Sequence, residues 1–391
     1  MKLAAIGAIF LTLTLALANA CRITANKPDN RAKAVNIILF IGDGMGRIHR
    51  QAARLSAGGE SGKLAMDGMA VTGWAHTRSA SNPVTDSAAA ATAMACGTKT
   101  NNGVVGMNAS GQRLPSILEE AKGMGKSTGL VSSGQLTNAT PAAFAAHVHN
   151  RYKLAEIAAQ MSASQVDVLL GGGENDFLPT FETGCYPEPG KRTDGRNLIR
   201  EAVAAGYAYA CKPSVLFQAG PAAAGRQLGL FADEGLTWPR SPSLAALTQK
   251  AIDLLSRNAN GFFLMVEEDQ IDEAAHDHDA ALAIACILKL DEAVRLALDF
   301  AKADGETLVI VAADHETGGL RIFLNATGEP GEQGPFPMPD GKVFYASWST
   351  DEHTADDVPV TSLGPSSTAL NGSYENTFIH DVMRRAFFES R

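Results

Sequence analysis

The stretch "VNIILFIGD", residues 35–43, decides the fold. Apart from Asn36, every residue from Val35 to Ile41 is apolar. A strand with one wet face alternates polar and apolar side chains, whereas a continuous apolar run bounded by glycine reads as a strand covered on both faces, the habit of parallel sheets. Four further runs share the pattern: "STGLVSS" (127–133), "VDVLLGGG" (166–173), "GFFLMVE" (261–267) and "ETLVIVAAD" (306–314). Between the runs lie helical patterns near Ser87 to Cys96, Leu114 to Lys122, Pro141 to Asn150, Leu244 to Asn258 and Ala280 to Lys302. This rhythm predicts an α/β fold, a doubly wound and mostly parallel central sheet with helices on both faces. Two Gly/Pro-rich stretches, 174–242 and 325–341, read as excursions from that sheet.

At 391 residues and 45% hydrophobic, the chain is long enough to bury a large core. Its first twenty residues, "MKLAAIGAIFLTLTLALANA", carry one Lys, an apolar run and Ala18-Asn19-Ala20, the pattern of an export signal with an A-x-A cleavage site. The run is short for a bilayer span, so an exported, periplasmic or secreted protein is expected rather than a membrane-spanning one. Cys21 directly after the cut offers lipid anchoring as a less favoured alternative. The formal charge is -9, and it becomes more negative when Lys2 leaves with the signal. Nucleic acid is therefore disfavoured as a partner, because phosphate backbones are bound by clustered Lys and Arg. Export permits disulfides. Of the five cysteines, Cys185 and Cys211 lie in a loop-rich region and form the expected pair, while Cys96 and Cys286 fall in apolar helical patterns that suit buried thiols.

Open α/β sheets bind ligands beyond the carboxyl ends of their strands. Three of the runs end there in metal-ligand side chains: Asp43, Glu267, and the neighbours Asp314 and His315. One such ending is as well explained by a turn or helix cap; three ending together point to a metal site. The segment "FFLMVEEDQIDEAAHDHD", residues 262–279, extends the pattern with seven carboxylates and two histidines after its apolar start. Asp272 and His276 are four apart, so one helical turn puts both on one face where they can grip a single ion. Zinc accepts His nitrogen and carboxylate oxygen, and magnesium prefers oxygen alone. Asp277, His278 and Asp279 are assigned to the solvated face.

"VTDSAAAATAMACG", residues 84–97, places Ser87 at a helix start followed by small residues and closed by Gly97. Asp86 or Ser87 serves such a helix as a cap; the same N-terminus also favours an anion, and the small side chains let one approach. Thr140 before Pro141 is a natural helix cap. Arg151 carries a planar fork suited to bidentate phosphate binding.

Six segments together, "FIGDGMG" (40–46), "VTDSAAAATA" (84–93), "NATPAAFAAHVHNR" (138–151), "VEEDQIDEAAH" (266–276), "AADHETGG" (312–319) and "STDEHTADDVPV" (349–360), resemble the alkaline phosphatases in order and over nearly the whole chain beyond the signal. The resemblance implies one catalytic domain over 35–391 after a linker at 21–34, two zinc ions and one magnesium ion per chain, and hydrolysis of small phosphate monoesters through a phosphoserine. Carried over by position, Asp272, His276 and His353 would hold the first zinc, and Asp43, Asp314 and His315 the second, beside the nucleophile Ser87. Asp43 would also reach magnesium, with Thr140 and Glu267. Arg151 would clasp the phosphate, oriented by Asp86. His353 comes from the resemblance alone, since its polar loop has no periodicity. Relatives commonly carry Asp or His where this chain has Asn138, and Lys, Trp or His where it has Glu273, so both positions bear on the third metal and on phosphate affinity. Alternatives are a phosphodiesterase of the same superfamily or a non-catalytic envelope protein that binds metal or phosphate; a sulfatase is disfavoured because Ser87 lacks a C/S-x-P-x-R setting. A homodimer is compatible with the sequence but not read from it.

Overall fold

A computed structural model describes residues 33–218 and 225–388. The proposed signal and Cys21 lie outside them. A ten-stranded sheet runs through the molecule, and its strands are numbered here in chain order. They are β1 (Asn36–Gly42), β2 (Val71–His76), β3 (Ser127–Gln135), β4 (Val168–Gly172), β5 (Tyr207–Ala210), β6 (Arg226–Leu230), β7 (Phe262–Glu268), β8 (Thr307–Ala313), β9 (Val358–Leu363) and β10 (Gly372–Glu375). Across the sheet the order is β10-β2-β9-β8-β1-β7-β3-β4-β6-β5. Only β9 runs against the others, pairing antiparallel with both β2 and β8.

The predicted apolar runs are the sheet's centre. Every residue of β1, β7 and β8 is buried, as strands sandwiched between helices must be. Leu39, Met265 and Ile310 lie abreast in register and are wholly inaccessible. Truncating one such side chain to alanine would cost about 2–5 kcal/mol, because the close-packed layer only partly collapses into the void.

The strands that sequence reading passed over lie toward the two edges. β2 alternates buried and accessible residues, the signature of one covered face. β5 and β6 fall inside 174–242, so part of that stretch is no excursion: both pair parallel and extend the sheet beyond β4. Residues 325–341 do leave the sheet, and strand Gln333–Pro337 joins a separate three-stranded sheet with Arg321–Phe323 and Val343–Ser347. The helix expected over 141–150 runs from Ala139 to Ala145 instead. Among the described residues, no helix is long and apolar enough to cross a membrane. Cys185 and Cys211 are joined, while Cys96 and Cys286 are buried free thiols.

Candidate functional site

Register along the sheet gathers the chemistry at one end. Gly42 pairs with Ala313 and with Glu268, so Asp43, Asp314 and Glu267 emerge side by side from three adjacent strands. Gly44 follows in a left-handed turn (φ 71°), and its amide donates to Asp314 Oδ1 at 3.1 Å. A Cβ on Gly44 would come within 2.8 Å of Asp272 Oδ1, so both conformation and space require glycine there.

Ser87 opens the helix Ser87–Cys96, every residue of which is buried. Asp86 is its N-cap, accepting the amide of Ala89 at 3.0 Å, and Gly97 closes the helix in a left-handed conformation. The other Asp86 oxygen accepts the Gly103 amide at 2.9 Å and lies 3.4 Å from Arg151 Nη1. Cap and guanidinium are thus joined, which turns the Arg151 fork toward the helix N-terminus. Burial works against the charge on Arg151, and the carboxylates of Asp86 and Asp43 more than offset it, holding the guanidinium above its ordinary pKa.

Ser87 Oγ lies 3.3 Å from His315 Nε2, and that nitrogen is 3.5 Å from Asp43 Oδ1 and 3.1 Å from Asp314 Oδ2. Ligand atoms of Asp43, Asp314 and His315 all fall within 4.8 Å of one another. Those of Asp272, His315 and His353 form a second such group, with the His315 and His353 rings stacked 3.6 Å apart. His276 joins through Asp272, its Nε2 lying 3.3 Å from Asp272 Oδ2. His353 Nε2 is 3.6 Å from the other oxygen of Asp272, and its Nδ1 faces the Thr85 carbonyl at 2.9 Å. Burial would raise the Asp272 carboxyl, but its bonds to His276 and His353 hold it well below the usual range. His276 is pushed up to about 9, chiefly by its bond to Asp272.

Asp43, Glu267 and Asp269 make a third group. Burial first, then the charges of Asp314 and Asp272, push Asp43 well above the carboxylate range. Burial and the adjacent Asp269 do the same to Glu267, against the opposing Ser132 and Thr140 hydroxyls. Thr140 Oγ1 is 3.5 Å from Asp43 Oδ2, and Ser132 Oγ donates to Glu267 Oε2. Three buried oxygens, Asp43 Oδ1, Glu267 Oε1 and Asp314 Oδ2, have no hydrogen-bond donor. Converging buried carboxylates without donors carry a large desolvation cost, and divalent cations are the counter-charge that fits.

Asp269 is the residue sequence reading missed. It stands in the run 267–279 with nothing in its spacing to separate it from solvated neighbours. Glu268 is drawn away by the buried guanidinium of Arg240, with Ser133 donating to its other oxygen at 2.9 Å. Asp277 and Asp279 are exposed as expected, and Asp279 caps the helix Ala280–Asp304. His278 departs from the solvated assignment: it stacks on Trp348 and faces the Thr350 carbonyl. Asn138 donates to Asp269 Oδ1 at 3.1 Å and accepts from Arg151 Nη2 at 3.0 Å. Glu273 is exposed and, with Asn138, Glu234, Asp269, Asp277 and Trp238, lines a cleft of about 460 Å³ beside the clamp.

The alkaline phosphatase family model matches residues 34–332. Alkaline phosphatase 4 of Bacillus subtilis is 34% identical over 426 aligned positions, covering 90% of this chain and 88% of that protein. The solved alkaline phosphatase of the Antarctic bacterium TAB5 superposes with a TM-score of 0.79 at 32% identity, over 92% of this chain and all of that one. A variant of that enzyme, solved with Mg bound in its M3 site, superposes equally well at 31% identity, again over 92% of this chain and all of that one. Sequence and architecture agree over nearly the same span, and the chain belongs to the alkaline phosphatase family.

Proposed function

We propose that this protein hydrolyses phosphate monoesters through a phosphoserine at Ser87, in a catalytic domain formed by residues 35–391 and exported by the first twenty. The observation that carries the reading is the setting of Ser87. Its Oγ is buried at a helix N-terminus, 3.3 Å from a His315 nitrogen within a carboxylate group, with Arg151 held alongside by Asp86. Asp272, His276 and His353 would hold one zinc ion, Asp43, Asp314 and His315 a second, and Asp43, Thr140 and Glu267 a magnesium ion. When bound, these cations supply Lewis-acid stabilisation to the entering and leaving oxygens and favour the ionised serine.

The chain's own groups do the rest. Arg151 presents two donors to phosphate oxygens and, through its bonds to Asp86 and Asn138, is already aligned before substrate arrives. The first-turn amides of Ser87–Cys96 favour the dianion beside them. Ser87 Oγ forms its bond to phosphorus as the bond to the alcohol breaks, and water attacking from the vacated side then releases phosphate.

The test is to quench turnover of a labelled monoester in acid and map the label. Label on Ser87, and loss of the trapped species in Ser87→Ala, are expected. Label on another residue, or unchanged turnover in Ser87→Ala, overturns the proposal.

A further inference from the structure

We propose that Asp269 is a ligand of a hard divalent cation held together with Asp43 and Glu267, and that Asn138 couples this ligand to the phosphate clamp Arg151. The inference rests on the metal reading above and adds to it a residue that no strand ending marks.

Oxygens of Asp43, Glu267 and Asp269 lie within 4.8 Å of one another, and all three residues are buried. An acidic cluster alone would not make a site. Here Glu267 Oε1 is fully enclosed and accepts no hydrogen bond, while Asp43 Oδ1, likewise orphaned, lies 3.5 Å from His315 Nε2. Buried polar atoms are almost always satisfied, so the orphaned Glu267 oxygen within a group of three buried carboxylates points to a cation as the partner.

The seat of Asp269 is also built. Its amide donates to Ser133 Oγ at 3.0 Å, and its Oδ1 accepts from Asn138. A Cβ on Gly134 would sit 2.4 Å from Asp269 Cγ and Oδ2, so any side chain there would displace the carboxylate. Gly134 is not among the residues with positive φ, so it is the close approach of Asp269 that requires glycine. Carboxylates and the Thr140 hydroxyl, with no imidazole or thiolate, form a donor set that suits Mg2+ better than Zn2+.

The Asn138 amide has one arrangement that serves both neighbours. A carboxylate only accepts and a guanidinium only donates, so Nδ2 must face Asp269 and Oδ1 must face Arg151. Placing Asp269 on the cation therefore sets the plane of the amide, and with it the angle of the clamp.

Purified protein, stripped with chelator and reloaded with zinc, is titrated with Mg2+ while bound metal and melting temperature are followed. Asp269→Asn should weaken Mg2+ binding by about tenfold to a hundredfold while keeping the parent's zinc content. Gly134→Ala, which leaves Asp269 in the chain but crowds its seat, should do the same. Asn138→Ala should keep more Mg2+ than either and weaken inhibition by inorganic phosphate. Unchanged Mg2+ affinity in Asp269→Asn overturns the proposal, as does a loss matched by equal loss of zinc and of metal-free stability. A parent that binds zinc but no Mg2+ also overturns it, while leaving Ser87 chemistry standing. If the parent binds neither, the metal reading itself has failed.

Discussion

Two groups of carboxylates sit at the same end of the sheet and are balanced in opposite ways. Around Asp272, the imidazoles of His276 and His353 lie against its two oxygens and keep it ionised. Around Asp43 and Glu267, further carboxylates and the hydroxyls of Ser132 and Thr140 outnumber a single imidazole, His315, 3.5 Å from Asp43 Oδ1, and burial raises both groups. The first group is close to self-sufficient, since protons on its histidines can stand in for a cation. The second must either take up protons or bind a metal. Metal removal should therefore leave the Asp272 side ordered and disturb the Asp43–Glu267 side.

The largest expected effect comes from Asp43, the carboxylate that belongs to two of the ligand groups. Asp43→Asn should lower both zinc and magnesium content and reduce monoester turnover by about a thousandfold or more, because several kcal/mol of charge stabilisation are lost. Full metal content with near-normal turnover would break the comparison at its hinge.

The next test concerns the floor beneath the imidazole side. His49 is fully buried, with Nδ1 3.6 Å from Glu316, and burial lowers it to about 4 against an opposing pull from Asp272. The unfolded chain takes up a proton near pH 6.5 that the folded chain refuses down to about 4. Stability present above that upper value is thus lost as pH falls through the window, by about 3 kcal/mol for one fully buried imidazole. Urea unfolding at stepped pH should show this slope in the parent and a flatter one in His49→Gln.

His276→Ala sharpens the comparison on its exposed flank. The fold should survive, zinc bound at Asp272 should weaken by about tenfold to a hundredfold, and magnesium should be retained. Metal analysis after dialysis distinguishes this from loss at both groups.

The smallest effect is expected at Glu273. Its exposed carboxylate borders the cleft beside Asn138, so Glu273→Lys replaces a repulsion on phosphate with an attraction. Solvent screens much of the change, and about 1.4 kcal/mol surviving would tighten phosphate inhibition about tenfold. Unchanged inhibition with intact metal content would show the position to be electrostatically silent.

How much of this was legible follows from the same physics. β1, β7 and β8 were readable because they are buried on both faces and so carry unbroken apolar runs that stop abruptly at Asp43, Glu267 and Asp314. β5 and β6 are short, and β5 carries an exposed and a partly buried residue at its middle, so nothing in "YAYA" separates it from a loop. Ser87 was readable because a helix start has its own code. Asp269 was not, since its role depends on a neighbour in space, Asn138, and on empty room above Gly134. Likewise His353 precedes a strand rather than following one. β9 runs backwards, so its beginning, not its end, lies with the carboxyl termini of its neighbours.

That reversal shapes what the molecule can afford to change. His353 is laced antiparallel to Thr317, so the chain leaves the metal end at one residue and returns to it at the next rung, with 318–352 and its small sheet hanging between as a closed bubble. Lengthening its exposed turn at 324–331 costs mainly loop entropy, about 0.6 kcal/mol for each doubling, while the ladder at the neck and the packing of Leu320, Met338, Phe344 and Ala346 against Ala52, Leu55, Ala280 and Ile284 hold the rest in place. Length can therefore vary at that exposed turn without disturbing the neck, where the Asp351 carbonyl meets His276 Nδ1.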